Sequence, residues 1–257
     1  MRNLEEDYKC ILRECLIGGS HRNDRTGVGC ISIFSPSLSW DLSDNKFPIL
    51  TGKAMYPKVF NTEFKWFING ETNIKRFQDA GVKIWDAWAD DNGDLGPVYG
   101  HQMLSYNDTN VNQLEDVIHS LKHNPDSRRH IISLWNPIQL EEMALPPCYH
   151  NFQFFVDADN KLNMHVLQRS ADLFLGIPYD IALFSMILLY VSKKALYLPS
   201  KIKLTMVDAH IYDNQTEQVY DYLAQSIHSF PEYTFENDEV KLIDYKPGKK
   251  ITAKVAV

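Results

Sequence analysis

The most unusual segment of the chain is Ala144-Leu145-Pro146-Pro147-Cys148-Tyr149-His150-Asn151. Two prolines restrict the backbone immediately before Cys148, which helps to fix where its sulfur points. A thiol becomes a nucleophile when nearby cations lower its pKa. Asp126-Ser127-Arg128-Arg129 and Gln168-Arg169-Ser170 are runs that could supply them. Spacing alone leaves quieter alternatives open: a buried structural cysteine, and arginines that are merely solvated or ion-paired. His119 and His123 lie four apart on an expected helix, but no further ligand pair accompanies them. They read as surface residues, and no metal site is expected.

The apolar pattern shows what must hold these groups in place. Leu4, Tyr8, Ile11, Leu12 and Cys15 share one helical face, as do Leu114, Val117, Ile118 and Leu121. Residues 28–34 read as a strand apolar on both sides, and so expected to be covered on both. Further strand-like runs fall at 130–135, 151–156, 161–168 and 201–207, with a turn at Asp157 to Asn160. The stretch Ile181 to Val191 has almost no polar face, which predicts a helix buried on most sides. This order of elements predicts an α+β protein, one large sheet packed on a few helices. No linker or repeat interrupts the 257 residues, so a single domain is expected.

Net charge is −7, which argues against a broad surface for duplex nucleic acid. A phosphate monoester could still bind where arginines gather. The four cysteines show no C-x-x-C spacing, and the amino terminus has no apolar signal core. A reduced, cytoplasmic setting without a membrane span is the expectation.

Longer strings are more specific. DRTGVGCISIF at 24–34, FKWFINGETNI at 64–74, IWDAWADDNGDLGPVYG at 84–100 and NPDSRRHIISLWN at 124–136 resemble the thymidylate synthase family. So do MALPPC at 143–148, LQRSADLFLGIPYDIA at 167–182 and DAHIY at 208–212. The likeness runs through nearly the whole chain in the family's order. It implies a large mixed sheet that dimerises through one face, with 5,10-methylenetetrahydrofolate as cofactor. Cys148 would add to C6 of a pyrimidine nucleotide and make C5 nucleophilic. Arg25, Arg169 and Ser170 match residues that hold the 5′-phosphate, and Arg128 and Arg129 a pair that reaches it from the other subunit of an obligate homodimer. Together the arginines would favour ionised Cys148.

The resemblance also implies that His210 and Tyr212 bond the deoxyribose hydroxyl, and that Gln168 and Tyr149 lie at the nucleotide. Glu63 would organise water for proton transfers, and Tyr99 would help to remove the C5 proton. Lys53, Ile84, Trp85, Trp88, Leu145, Asp172, Gly176 and Tyr179 match the folate pocket. Ala256-Val257 resembles the tail that closes over the pterin and excludes water.

Two departures bear on the substrate. Asp180 stands where the family has an asparagine that reads uracil, donating to O4 and accepting from N3–H. Cytosine reverses both polarities, and a protonated carboxyl would match it. A mismatched buried hydrogen-bond set costs roughly two to four powers of ten in discrimination. Asp180 therefore points to dCMP. Tyr149 follows the cysteine where the family usually has histidine, a change compatible with an amino group. Ala54 and Tyr56 also replace polar residues near the folate site.

From dCMP, hydride transfer would give 5-methyl-dCMP and dihydrofolate, whereas water addition would give 5-hydroxymethyl-dCMP and tetrahydrofolate. Trp85, Trp88, Tyr99 and the Val-Ala-Val tail favour the dry outcome. The expected activity is a deoxycytidylate methyltransferase, of use where modified cytosine enters DNA from the nucleotide pool, as in some bacteriophages. A dCMP hydroxymethyltransferase, a thymidylate synthase acting on dUMP and a non-catalytic nucleotide- or RNA-binding protein are the alternatives.

Overall fold

The computed structural model describes residues 3–256. Helix α1 (Leu4–Gly18) starts where the Asn3 side chain accepts the Glu5 N–H. Then come β1 (Ser20–Arg22), β2 (Cys30–Phe34), β3 (Ser37–Asp41), α2 (Pro57–Ile68), α3 (Lys75–Ala80), α4 (Gly100–Leu104) and α5 (Gln113–His123). The second half holds β4 (Ile131–Ser133), β5 (Tyr149–Val156), β6 (Lys161–Asp172), α6 (Gly176–Ala195), β7 (Leu198–Tyr212), α7 (Thr216–Leu223) and the hairpin β8 (Glu232–Glu236) and β9 (Glu239–Ile243).

Seven strands form one mixed sheet in the order β1-β2-β7-β6-β5-β4, with β3 also pairing β7. Strand β7 divides one edge between two partners: Asp208–Tyr212 pairs with β2, and Lys201–Thr205 with β3. Only β6 and β7 run parallel, so a crossover must join them, and α6 is that crossover. Helix α6 is long and apolar enough to cross a membrane, but most of it is buried inside the protein. Leu162, Met164 and Val166 of β6 and Ile202, Leu204 and Met206 of β7 alternate inward beneath it.

The expected fold class is the observed one. The strand expected at 28–34 is a correction, because β2 begins at Cys30 and Phe34 is 87% exposed. Phe155, Ile131 and Val207 are also exposed, so no other element of the described chain covers these parts of the sheet.

One buried carboxylate ties both ends of the chain together. Glu5 accepts hydrogen bonds from the Thr51 N–H (2.8 Å), the Thr51 hydroxyl (2.7 Å), the Gly52 N–H (2.8 Å) and the Tyr222 hydroxyl (2.7 Å). Segment 51–54 in turn grips the carboxyl-terminal strap, for the Ala54 N–H donates to the Lys249 carbonyl at 3.0 Å. Gly248 lies so close to Gly52 that a Cβ would collide with its carbonyl. Glu5→Ala strands several buried donors, and a loss of about 3–5 kcal/mol is expected from the urea midpoint. An unchanged midpoint would show that these bonds are replaced by water.

Candidate active site

Between the sheet's end and helices α2 and α6 lies a cavity of about 580 Å³. Cys148 precedes β5 in its wall. Arg169, from β6, donates from Nε to the Pro147 carbonyl (2.9 Å) and from Nη2 to the Pro146 carbonyl (2.7 Å). The two prolines and one arginine thus fix the thiol's approach together. The Cys148 N–H donates to the Tyr99 hydroxyl at 3.1 Å, leaving the Tyr99 proton to point elsewhere. Tyr99 has a left-handed backbone at φ +34°, a strained state for a tyrosine. The next residue, Gly100, passes so near the Phe67 carbonyl that no Cβ fits, which keeps the turn in place.

Sequence reasoning expected clustered arginines to ionise Cys148. In the single chain burial pushes the thiol up, and Arg169 is the arginine that opposes the rise. Arg128 and Arg129 are exposed and absent from the cavity wall.

Asp180 sits in the first turns of α6, where Gly176–Pro178 lead the helix in from Asp172. Burial raises its carboxyl to about 7, and the Gln168 bond opposes the rise. Gln168 Nε2 donates to Asp180 Oδ2 at 3.0 Å and to the Ser170 carbonyl at 3.1 Å. A carbonyl can only accept, so the amide must turn its NH2 toward Asp180. In the neutral carboxyl Oδ2 is therefore the acceptor, and the proton belongs on Oδ1. Glu63, on α2, is raised to about 8, first by burial and then by Asp180. The Trp85 indole donates to it at 3.3 Å. Two carboxyls that hold protons near neutrality face one thiol, an arrangement suited to proton shuttling.

At the polar end of the cavity the wall includes Arg25, Ser170, His210 and Tyr212. His210 Nδ1 lies 3.2 Å from Asp208, which also pairs with Arg22 at 2.6 Å. Burial, reinforced by Asp172 and Asp24, pushes Tyr212 up to about 12. Arg22, Asn23, Cys30 and Asp208 line this end and were not singled out in the sequence. Cys30 and Asp208 lie within the family-like strings at 24–34 and 208–212, whereas Arg22 and Asn23 fall just outside them.

At the other end stand Ile84, Trp85, Trp88, Leu145, Gly176 and Tyr179, as expected of a common wall. Trp88 Nε1 is buried without a hydrogen-bond partner among the described residues. Ala253, Val255 and Ala256 close the wall, with Ala256 6% exposed. Val257 lies outside the described residues. Asp172 lines the cavity while accepting the Phe174 and Leu175 N–H groups (both 2.9 Å) and Gln215 Nε2 (3.1 Å). Lys53 is not in the wall. Its ammonium donates to the Phe174 carbonyl at 2.8 Å behind the loop, and burial lowers it to about 8.

The cavity brings together a fixed thiol, two carboxyls raised by burial, an end with arginines and an aromatic end. The family model for thymidylate synthase matches residues 6–257, and the chain belongs to the thymidylate synthase family. Membership carries folate-dependent C5 methylation of a pyrimidine nucleotide, with 5,10-methylenetetrahydrofolate as one-carbon donor and cofactor. The aromatic end and the unpartnered Trp88 donor fit such a heteroaromatic, polar-edged group.

Proposed function

We propose that the chain is a deoxycytidylate 5-methyltransferase, converting dCMP to 5-methyl-dCMP. The carrying observation is Asp180, a buried carboxyl held near neutrality with Oδ2 fixed as acceptor by Gln168. Oδ1–H would donate to N3 of cytosine while Oδ2 accepts from the 4-amino group. Addition of Cys148 to C6 makes N3 more basic and draws the proton across. The resulting carboxylate would then face two N–H donors. In uracil the carboxylate would meet O4, whose charge grows after the same addition, and two acceptors would oppose each other.

Arg25, Arg169 and Ser170 would take the phosphate, and His210 and Tyr212 the sugar hydroxyl. Arg128 and Arg129 would serve a second copy docked on the apolar outer sheet surface. Glu63 would exchange protons through water, and the freed Tyr99 hydroxyl would assist loss of the C5 proton. When bound, the folate supplies the one-carbon unit and the hydride. Trp85, Trp88, Leu145 and Ala256 would keep that carbon dry, which favours methyl over hydroxymethyl. Cytoplasmic supply of modified cytosine for DNA, as in some bacteriophages, is the setting this activity suits.

The test is to supply methylenetetrahydrofolate with dCMP or dUMP and identify the nucleotide by mass. Dihydrofolate with dCMP alone is the expected result. Product carrying an added water, without dihydrofolate, would mean hydroxymethylation, and turnover of dUMP in preference would mean a thymidylate synthase. A pH measurement sharpens this. Because neutral Asp180 is the binding form and its pKa is near 7, the affinity ratio of dCMP to dUMP should be flat below that pH. Above it the ratio should fall, approaching about tenfold per pH unit. Titration calorimetry measures it, and a flat ratio up to about pH 9, well above the usual carboxylate range, would remove Asp180 from the recognition.

A further inference from the structure

Tyr149 is buried, with 5% exposure, and its side chain lines the cavity. Its ring is clamped. Tyr99 lies 4.9 Å away at 38°, Phe184 4.9 Å away edge-on, and Phe152 and Phe67 at 5.9 and 6.3 Å. Phe184 is one helical turn beyond Asp180 on α6, so the two share a face. In the sheet, Tyr149 pairs with Gln168, the residue that holds Asp180, and the register shifts immediately afterwards. Such an irregularity re-aims a side chain beside a site. Tyr149 is thus wedged between the nucleophile that precedes it and the helix that carries Asp180.

That position has a chemical consequence if the substrate is a cytosine, the reading on which this inference rests. Thiol addition to C6 saturates the C5–C6 bond, and protonation at N3 turns C4 into an amidinium carbon. Water can then attack C4: a C4–O bond forms, the C4–N4 bond breaks, and N4 leaves as ammonia with one proton from the water while the other returns to the Asp180 carboxylate. No oxidant or reductant is needed. The ring would become a uracil, and the modified cytosine would be lost as thymidylate. Cys148 must meet C6 and Asp180 must meet N3 and the amino group, so a ring wedged between them fills the space beside C4 and C5 from which a water would approach the ring.

We propose that Tyr149 is a fidelity residue, whose clamped ring keeps water from C4 while the cytosine is saturated and so prevents deamination during carbon transfer.

The test compares the intact protein with Tyr149→Phe, Tyr149→His and Tyr149→Ala. Each is given dCMP with and without methylenetetrahydrofolate, and dUMP, dTMP, 5-methyl-dCMP and released ammonia are quantified. The deaminated fraction should rise by roughly tenfold or more in Tyr149→Ala and Tyr149→His, which admit water. Tyr149→Phe should keep the product pure even if turnover falls. Equal purity in all variants overturns the proposal, as does deamination in Tyr149→Phe matched by purity in Tyr149→His. Tyr149→His carries the test if the alanine variant does not fold. A wild type inert toward dCMP but active on dUMP would instead sink the cytosine reading, and this inference with it.

Discussion

Asp180→Asn is expected to invert the nucleotide preference. An amide donates from one end and accepts from the other without titrating, so it fits O4 and N3–H of uracil. In the variant, kcat/KM for dCMP should fall by roughly two to four powers of ten, and that for dUMP should rise by a similar factor. The side chains are nearly isosteric, but reading uracil places the amide nitrogen where Oδ2 sits, so the Gln168 donor is released and a stability loss of about 1 kcal/mol is expected from the thermal midpoint. The discrimination should also lose its pH dependence, because the titrating group is gone. Retained dCMP preference in this variant would mean that some other group reads the 4-position. Retained preference together with a lost pH dependence would leave Asp180 a role in charge balance alone.

Cys148→Ala should remove product formation while leaving nucleotide binding in place. Loss of a covalent nucleophile costs roughly four to six powers of ten in kcat. The Pro146 and Pro147 carbonyls stay anchored on Arg169, and the backbone bond from residue 148 to Tyr99 does not involve the sulfur. Affinity for dCMP should accordingly stay within about tenfold of wild type. Rapid-quench assays and calorimetry on one preparation separate these effects. Measurable methylation by the alanine variant would refute covalent catalysis through this thiol. An inactive wild type that binds nucleotide normally would point to a binding protein.

Much of the fold could be read in the sequence where one physical signal dominated. The apolar run at 181–191 forms the core of α6, and the strand-like runs at 161–168 and 201–207 lie within β6 and β7. The turn at Asp157 to Asn160 forms as its residue types demand, with Asp157 Oδ1 accepting the Asp159 and Lys161 N–H groups. The hairpin β8–β9 was missed, although Asn237 and Asp238 between the strands both take the left-handed backbone that suits a two-residue turn. Its strands are short and half polar, so alternation alone did not stand out.

The site was legible as a set of residues but not as a set of relations. Lys53 was expected at the cofactor and instead supports the Phe174 loop from behind, because nothing in a string shows which side of a loop a lysine takes. Arg169 was expected at the phosphate, and its grip on the two proline carbonyls depends on pairing across 22 and 23 residues of chain. Gln168's control of which Asp180 oxygen accepts follows from the Ser170 carbonyl, a backbone atom with no sequence signature.

The carboxyl-terminal segment divides into a root seated on another segment and a tip that lines the cavity. Gly248 and Lys249 are seated on residues 51–54, which the Glu5 latch holds, whereas Val255 is 49% exposed. Displacing the root would mean dismantling the packing of two helices, whereas lifting the tip would withdraw only Ala253, Val255 and Ala256 from the cavity wall. Opening is then a local fluctuation rather than a share of global unfolding. Heat resistance and the pace at which product escapes can consequently evolve apart: selection on the latch alters one, and selection on the last few residues alters the other.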